Sequence, residues 1–288
     1  MPTKQAQSWV VTDEFWARVE PLIPELQRAT RAQYLRKPGA GRPPKPARQV
    51  FEAVVYVLCT RCQWKALPKE RFGSASAVHK RFLQWEKAGF FEALWKAGLA
   101  EYDQMEGIAW RWQSTDGAMF KAPMAQQAVG PNPTDRGKKN WSKRHLLVDG
   151  RGVPLSIIVT GANVNDAKRI DQVLSAIVVK RPQTPVRRSK HLCADAGFRS
   201  AEAIRIMESH GYIPHVVDRR EEAQAKKRQP WKKARRWVVE VCHSWFNRFR
   251  KLLVRYEKFE RSFLALNHLA GAIIAFRKAP LTINPIYG

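Results

Sequence analysis

The sequence predicts an α/β protein: a mixed sheet with flanking helices, preceded by an all-helical N-terminal segment. Three observations predict it. Up to about residue 110, apolar residues recur every three to four positions, the period of helices packed along one face. After Trp112 the period falls to two, and three such runs follow one another with turn residues between them, the pattern of an antiparallel meander. Beyond Asp166, helix-period and strand-period runs alternate, as they do where a sheet continues with parallel strands.

The first helix starts at Thr12, a capping residue followed by Asp13 and Glu14, and places Phe15, Trp16, Val19, Leu22 and Ile23 on one face before Pro24 ends it. Arg36 to Arg48 (RKPGAGRPPKPAR) holds too much Pro and Gly for a helix or central strand. It reads as a loop or extended arm whose charge, Arg42 included, suits a DNA backbone. A second helix from Ala47 carries Val50, Phe51, Val54, Val55 and Leu58; after a break at Pro68 and Gly73, a third runs from about Ser76 to Lys87. The third sets Phe82, Leu83 and Trp85 among His79, Lys80, Arg81 and Lys87. Short helices, tight turns and one basic helix resemble a helix-turn-helix module, with Lys80 and Arg81 toward DNA. A plain helical bundle with a solvated charged face is the alternative.

In the sheet region, QSTDGAMFKA, KRHLLVDGRG and VPLSIIVTGA read as three strands, the second closing on the hairpin dipeptide Asp149-Gly150. Asp166 to Val179 reads as a helix, HLCADAGF from His191 as a buried strand, Ala201 to His210 as a helix and YIPHVV from Tyr212 as a last strand. Three hairpin strands followed by alternating helices and strands describe a ribonuclease-H-like sheet, whose first and fourth strands lie side by side. Arg219 to Arg236 carries nine Lys or Arg in eighteen residues, a linker too polar to pack until a polyanion orders it. From Trp237 to Phe276 there is no Pro and no Gly before Gly271, and Cys242, Trp245, Phe246, Phe249, Leu252, Leu253 and Tyr256 form one apolar helical stripe. The expected division is a helical, DNA-binding domain over 1–110, a ribonuclease-H-like catalytic domain over 111–277 and a flexible tail over 278–288.

Charge narrows the partners. Across 288 residues, Lys and Arg number 51 against 25 Asp and Glu, a net charge of +26 that calls for a polyanion. Nucleic acid fits best, because Lys and Arg displace the counterions condensed on its phosphates, and double-stranded DNA is the partner expected. An acidic membrane is the rival, but no run approaches ~18 apolar residues. Met1 to Val10 also lacks the charged-then-apolar order of a secretory signal, so a cytoplasmic protein without a membrane partner is expected. Cys59 and Cys62 alone have metal-like spacing, and no second Cys or His pair follows them to complete a zinc site. No His-x-x-Arg or His-x-His supports a covalent tyrosine recombinase, and no aromatic single-strand signature supports RNA binding.

In a chain this poor in acids, Asp116 and Asp195 stand out, each flanked by strand-forming apolar sequence. A buried carboxylate costs several kcal/mol unless it is paired or cation-bound. Two of them on neighbouring strands repel unless Mg²⁺ lies between. Glu240 is the third candidate: at ~100° per residue it lies opposite Trp245, Phe249 and Leu253 and shares a face with Arg236, Ser244, Asn247 and Lys251. Its delivery to the aspartates depends on a helix tilt that spacing does not set. Each acid also has a plain reading: Asp116 as a turn residue before Gly117, Asp195 as a helix cap, Glu240 as a surface partner of Arg236. Asp135 and Asp149, beside Gly and Pro, read as turn residues. Three acids holding two Mg²⁺ about 4 Å apart suit in-line attack on a phosphodiester without a covalent protein intermediate.

The ordered motifs carry a resemblance. STDG around Asp116, GPNPTDRGKKNWSKRHLLVDGRGVPLSIIVTGANVND from Gly130, ADAGF around Asp195 and RRWVVEVCHSWFNRFRKLLVRYEKF from Arg235 resemble the bacterial insertion-sequence transposases with a DDE triad, the small single-chain group. TDEFWARVEPLIP, GRPP and RCQWKALP extend the likeness over nearly the whole chain. The resemblance implies a ribonuclease-H-like core with Asp116, Asp195 and Glu240 as catalysts and as ligands of two Mg²⁺, with Mn²⁺ as substitute. It implies cleavage at the terminal inverted repeats of the chain's own element and transfer of the 3′ ends into target DNA. A homodimer on DNA and a nucleoid-associated location go with that. In related transposases the Glu lies in a series of Tyr, Arg, Glu and Lys. Here Arg236 holds the Arg place and is the expected contact to the transposon end, while Lys233 stands for the Tyr and Asn247 for the Lys. Lys233, Arg248, Arg250 and Lys251 are then the expected phosphate contacts. The alternative is a captured, non-catalytic DNA-binding protein, a repressor or architectural factor, against which the three intact acids argue.

Overall fold

Thr12 opens helix α1 (Asp13–Val19): its hydroxyl accepts a hydrogen bond from the Phe15 N–H at 3.2 Å, satisfying one orphan donor of the first turn. The computed structural model describes residues 9–25, 43–134, 139–180, 189–216 and 235–279. Arg42, Asp135, Lys233 and most of both basic stretches lie outside the described residues. α1 buries Phe15, Trp16 and Val19 and tightens into one 3-10 turn, Glu20–Leu22. Helix α2 (Ala47–Thr60) buries Val50, Phe51, Val54, Val55 and Leu58, and ends where Arg61 turns left-handed at φ 66°. A single turn, α3 (Lys69–Phe72), precedes α4 (Ala75–Lys87), which buries Val78, Phe82 and Trp85. Gly89, at φ 74°, then reverses the chain into α5 (Phe90–Glu106).

Six strands make one sheet: β1 (Trp112–Lys121), β2 (Gly130–Pro131), β3 (Asn140–Val148), β4 (Pro154–Gly161), β5 (Lys190–Ala194) and β6 (Tyr212–Val216). β3 pairs antiparallel with β1 on one side and with β4 on the other, the short β2 prolonging β4's side. β5 runs parallel beside β1, and β6 parallel beside β5. This is the ribonuclease-H-like arrangement expected from the alternation of periods. The β3–β4 connection is longer than the expected two-residue hairpin. Strand pairing ends at Val148 and resumes at Pro154, and the positive φ falls on Gly152 (84°) rather than Gly150. Asp149 is there because four donors converge on it. It takes hydrogen bonds from the Tyr102 hydroxyl and from the N–H groups of Ala109, Arg151 and Val153 at 2.9–3.0 Å, with no exposed surface.

Each sheet face has its own cover. Leu147, Leu192 and Ala194 pack under α6 (Ile170–Ser175) and α7 (Ala201–Ser209). The expected helix over Asp166 to Val179 is thus shorter, a 3-10 turn and six helical residues. On the other face, Leu146, Val148, Leu155, Ile157 and Val159 join a core shared with α1, α2, α4, α5, α8 (Trp237–Asn247) and α9 (Glu260–Lys278). α9 is buried from Ser262 to Phe276 apart from the half-buried Leu264. α5 approaches it closely because Gly98 has no side chain: a Cβ there would stand 3.0 Å from the Phe276 ring. Phe276 in turn meets Phe15 at 5.2 Å between ring centroids, so one core runs from the first helix to the last.

The apolar stripe from Cys242 to Tyr256 is not one helix. α8 stops at Asn247, a 3-10 turn covers Arg250–Leu252, and Val254 bridges to Lys121 at the end of β1. Cys242, Phe246, Phe249 and Leu252 are buried, but Leu253 and Tyr256 are 41% and 44% exposed. Arg255 is the reason. Its guanidinium lies inside the fold, donating to the carbonyls of Glu257 and Ala128 and to the Ser142 hydroxyl, bonds that a continuous helix would break. Among the described residues no helix is long and apolar enough to cross a membrane.

Candidate active site

Parallel pairing sets Ser114 of β1 opposite Cys193 of β5. Two residues further on, the same alternation brings Asp116 and Asp195 to neighbouring positions on one face. Asp116 lies within β1, not in a turn, and its Oδ1 accepts the Gly117 N–H at 2.9 Å. Asp195 stands one residue past β5 and caps the turn Ala196–Phe198 through the Gly197 N–H at 2.9 Å. The cap and the proximity to Asp116 coexist. Burial raises the Asp116 carboxyl to about 6, helped by the charges of Asp195 and Asp166 and opposed by the Gly117 N–H and Arg236. Two acids whose charges resist one another form a place where a cation would be stabilised.

Glu240 occupies the first turn of α8 with its side chain 54% exposed, 3.2 Å from Arg236 Nη1. Arg236 therefore pairs with the glutamate while its field lowers the Asp116 carboxyl. Among the described residues, no three His, Cys, Asp or Glu side chains are gathered as metal ligands. The structure brings Asp116 and Asp195 together and leaves Glu240 turned to Arg236 and solvent. Of the expected DNA contacts, Lys80, Arg248 and Arg250 are exposed. Arg81 lies half-buried over the Trp85 ring at 5.7 Å. Lys251, unlike the others, is not exposed as expected: it is buried and bound 3.0 Å from Glu257, because the break after α8 turns it inward.

Sequence reading missed the residues on the opposite side of β1. Asp166 Oδ1 lies 3.0 Å from Lys143 Nζ and 3.2 Å from His145 Nδ1, and the other ring nitrogen of His145 meets the Thr160 hydroxyl at 2.9 Å. Despite burial, the imidazole and ammonium hold the Asp166 carboxyl below the usual range. The carboxylate fits because residue 117 is glycine: a Cβ there would stand 2.7 Å from Asp166 Oδ1. The legible signal was Lys143-x-His145, two residues apart in a strand and hence on one face. On the Asp116 face, the buried Arg144 guanidinium stacks 4.4 Å over Phe246 and reaches Asn267 and His243 at 3.3 and 3.4 Å. Burial, then Arg144, lowers the His243 imidazole to about 3, so it is neutral at physiological pH.

A sheet in which β4, β3, β1, β5 and β6 lie side by side, with one aspartate in β1, a second just past the parallel β5 and an Arg–Glu helix beside them, defines a ribonuclease-H-like protein with an acidic edge. The chain belongs to the transposase DDE domain family, whose profile matches residues 111–275. Residues 11–95 match a second profile, described as "Putative transposase of IS4/5 family (DUF4096)". Over 132 residues the chain is 37% identical to the "Putative transposase for insertion sequence element IS402" of Burkholderia cepacia, covering 45% of this chain and 60% of that protein. It is 28% identical over 125 residues to the "Insertion element IS402 uncharacterized 16.2 kDa protein" of the same organism, covering 43% of this chain and 81% of that one. Among solved structures, the catalytic domain of Mos1 mariner transposase aligns with 72% of this chain and 96% of its own, at 12% identity and a TM-score of 0.28. A likeness that low carries no weight for function.

Proposed function

We propose that this chain is a divalent-metal-dependent DNA transposase that cuts the ends of its own insertion sequence and joins the 3′ ends to target DNA. The observation that carries the reading is the pair Asp116, in β1, and Asp195, just past the adjacent parallel strand β5, inside a match to the DDE family. The two carboxyls fit a divalent cation, since Asp116 is raised to about 6 by burial and by its like-charged neighbours, a cost a bound cation would remove. Asp116 and Asp195 would hold it, with Glu240 as third ligand once its side chain leaves Arg236. Two Mg²⁺ ions, with Mn²⁺ as substitute, would supply Lewis-acid activation of the attacking hydroxyl and stabilisation of the leaving oxygen. Arg236, freed from Glu240, takes a phosphate of the transposon end, and Gly117 keeps the Asp166 carboxylate against β1, where its charge adds to the field on Asp116. Exposed cations, including Lys80, Arg248 and Arg250, supply sequence-independent affinity for duplex DNA, and Arg42 and Lys233 belong to the same set. Synapsis of two ends calls for a homodimer on DNA, and this partner places the protein at the bacterial nucleoid in the cytoplasm.

One observation favours a second reading, a captured DNA-binding protein without catalysis: Glu240 is engaged with Arg236 rather than with the aspartates. A single experiment separates the two. The purified protein, Asp195→Ala and Glu240→Ala are incubated with DNA carrying the element's flanking ends, in Mg²⁺ or EDTA. The transposase reading expects metal-dependent nicking and joining by the wild type, abolished in both variants with binding retained. Binding without cleavage by the wild type would mean the captured protein.

A further inference from the structure

The Arg144 guanidinium is buried on the Asp116 face of the sheet, since the β1–β3 register sets Arg144 opposite Ala118, two residues along from Asp116. Its hydrogen bonds go to neutral groups on two helices. One reaches Asn267 of α9 at 3.3 Å, and the Asn267 amide is itself held by donating to the Phe263 carbonyl at 2.8 Å. The other reaches His243 Nδ1 in α8 at 3.4 Å, one turn beyond Glu240, and the same guanidinium covers the Phe246 ring of that helix. Arginine only donates, so Nδ1 accepts and the neutral ring carries its proton on Nε2. Nε2 is buried and makes no bond within ordinary hydrogen-bond geometry, while the main-chain carbonyl of Asp116 is close enough to act on the ring. The imidazole thus links Arg144 to Asp116.

Apolar packing alone would seat α8, and that plain account has a limit. Val239, Cys242 and Phe246 fill the core beside His243, and an apolar side chain at 243 would complete that surface without burying a cation. Burying a cation among neutral partners weakens a fold. Directional bonds, in return, fix one arrangement where apolar contacts accept several. What the pair fixes is the rotation of α8. Glu240 stands three residues before His243, about 60° around the axis and about 4.5 Å along it. With a helix radius of about 5–6 Å, a rotation of about 20° would carry the Glu240 carboxylate about 2 Å sideways. A misplacement of about 1 Å can cost on the order of 100-fold in rate.

We propose that His243, held by Arg144, is a positioning residue that docks the Glu240 helix on β1 at Asp116, so that Glu240, once it leaves Arg236, meets the aspartate pair. The proposal rests on the DNA-transposing reading above and names what orients its acids. Arg144 is the anchor, because it ties the same point to β3 and to α9. The bond from Arg236 to Glu240 sets where that side chain rests, whereas His243 sets the helix that carries it. Neither Arg144 nor His243 is a catalytic residue: both act through α8 and through the main chain of Asp116.

The test compares the full wild-type chain on end DNA with Arg144→Met/His243→Leu, His243→Gln, Val239→Ala and Asp195→Ala. The double variant removes the cation together with its partner, so no unpaired charge stays buried. His243→Gln keeps an acceptor and a donor on the side chain. Val239→Ala loosens the buried face of α8 without touching the polar bonds. Thermal melts and end-DNA affinity report folding and binding, and electron paramagnetic resonance reports Mn²⁺ bound above the Asp195→Ala background. The double variant should melt cooperatively and bind end DNA as the wild type does, while its Mn²⁺ affinity falls by about 10- to 100-fold and cleavage falls with it. His243→Gln should regain most of both, and Val239→Ala should lose melting temperature but not Mn²⁺ affinity. Wild-type Mn²⁺ affinity in the double variant, an equal loss in Val239→Ala, a glutamine variant no better than the double one, or a double variant that does not fold each overturns the positioning role. A wild type that binds no Mn²⁺ above background and cuts no end DNA overturns the transposing reading instead.

Discussion

Asp116 shows how one side chain links fold to chemistry. With its carboxyl raised to about 6 by burial and by neighbouring acids, the unfolded chain releases this proton at lower pH than the folded one does. Stability therefore falls as pH rises from the usual carboxylate range through about 6 and stays lower above it. Without metal, Asp116→Asn should be more stable than the wild type at pH 8, by on the order of 1–3 kcal/mol for a half-buried group, and equal to it at pH 4. Thermal melts at the two pH values read this, and Mg²⁺ should raise the melting temperature of the wild type only. Equal stabilities at pH 8 would mean that the carboxyl bears no penalty. Gly117 supplies a second residue-scale prediction. Alanine there puts a methyl group 2.7 Å from Asp166 Oδ1, an overlap that costs about 1–3 kcal/mol and shifts β1 beside Asp116. Gly117→Ala should lose cleavage by more than tenfold while still binding DNA; full activity would show that the close approach is immaterial.

At the scale of elements, Asp149 ties the end of α5 to the β3–β4 connection. It accepts from the Tyr102 hydroxyl and from three backbone N–H groups, two of which belong to its own turn. Arg151 closes the arrangement by donating to the Tyr102 hydroxyl and to the Gly107 carbonyl. Asp149→Ala would strand several buried donors at once and should cost at least about 3 kcal/mol in urea unfolding, with Asp149→Asn intermediate. A loss below 1 kcal/mol would place these bonds at the surface in energetic terms. The expected turn residue is thus also the peg between two layers. The break after α8 has a similar origin: seating the Arg255 and Lys251 charges among carbonyls and Glu257 outweighs continuing the helix, and Leu253 and Tyr256 are left in solvent.

For the whole molecule, charge and core make separate statements. On the proposed function, a net charge of +26 predicts a DNA affinity that falls steeply with salt, by about 10³ or more between 50 and 200 mM if six or more phosphates are neutralised. A titration in which affinity barely changed would remove DNA as the principal partner. The core predicts how the chain unfolds. Because α5 lies on α9 and Phe15 meets Phe276, the full chain should melt in one transition, whereas a fragment starting at residue 111 leaves the α5-facing side of α9 bare. That fragment should bind a hydrophobic dye and lack a sharp melt. Independent folding of the fragment would instead support the expected boundary near residue 110.

Local regularities were legible from the sequence by itself: the capped α1, the buried faces of α2 and α4, the antiparallel meander, β5 and β6, and the surplus of positive charge. Each follows from side-chain period, capping chemistry or composition within a short window. The adjacency of Asp116 and Asp195 was also legible, because a parallel strand placed beside the first fixes it once the strand order is known. Only the tertiary structure decided what depends on packing between distant segments. It turned Lys251 inward to Glu257, set Asp166 against Gly117 through Lys143 and His145, and joined α5 to α9 in one core. The physical reason is common to all three. A charge or a helix face takes its partner from whatever the fold brings within a few ångströms, and spacing along the chain does not encode that distance.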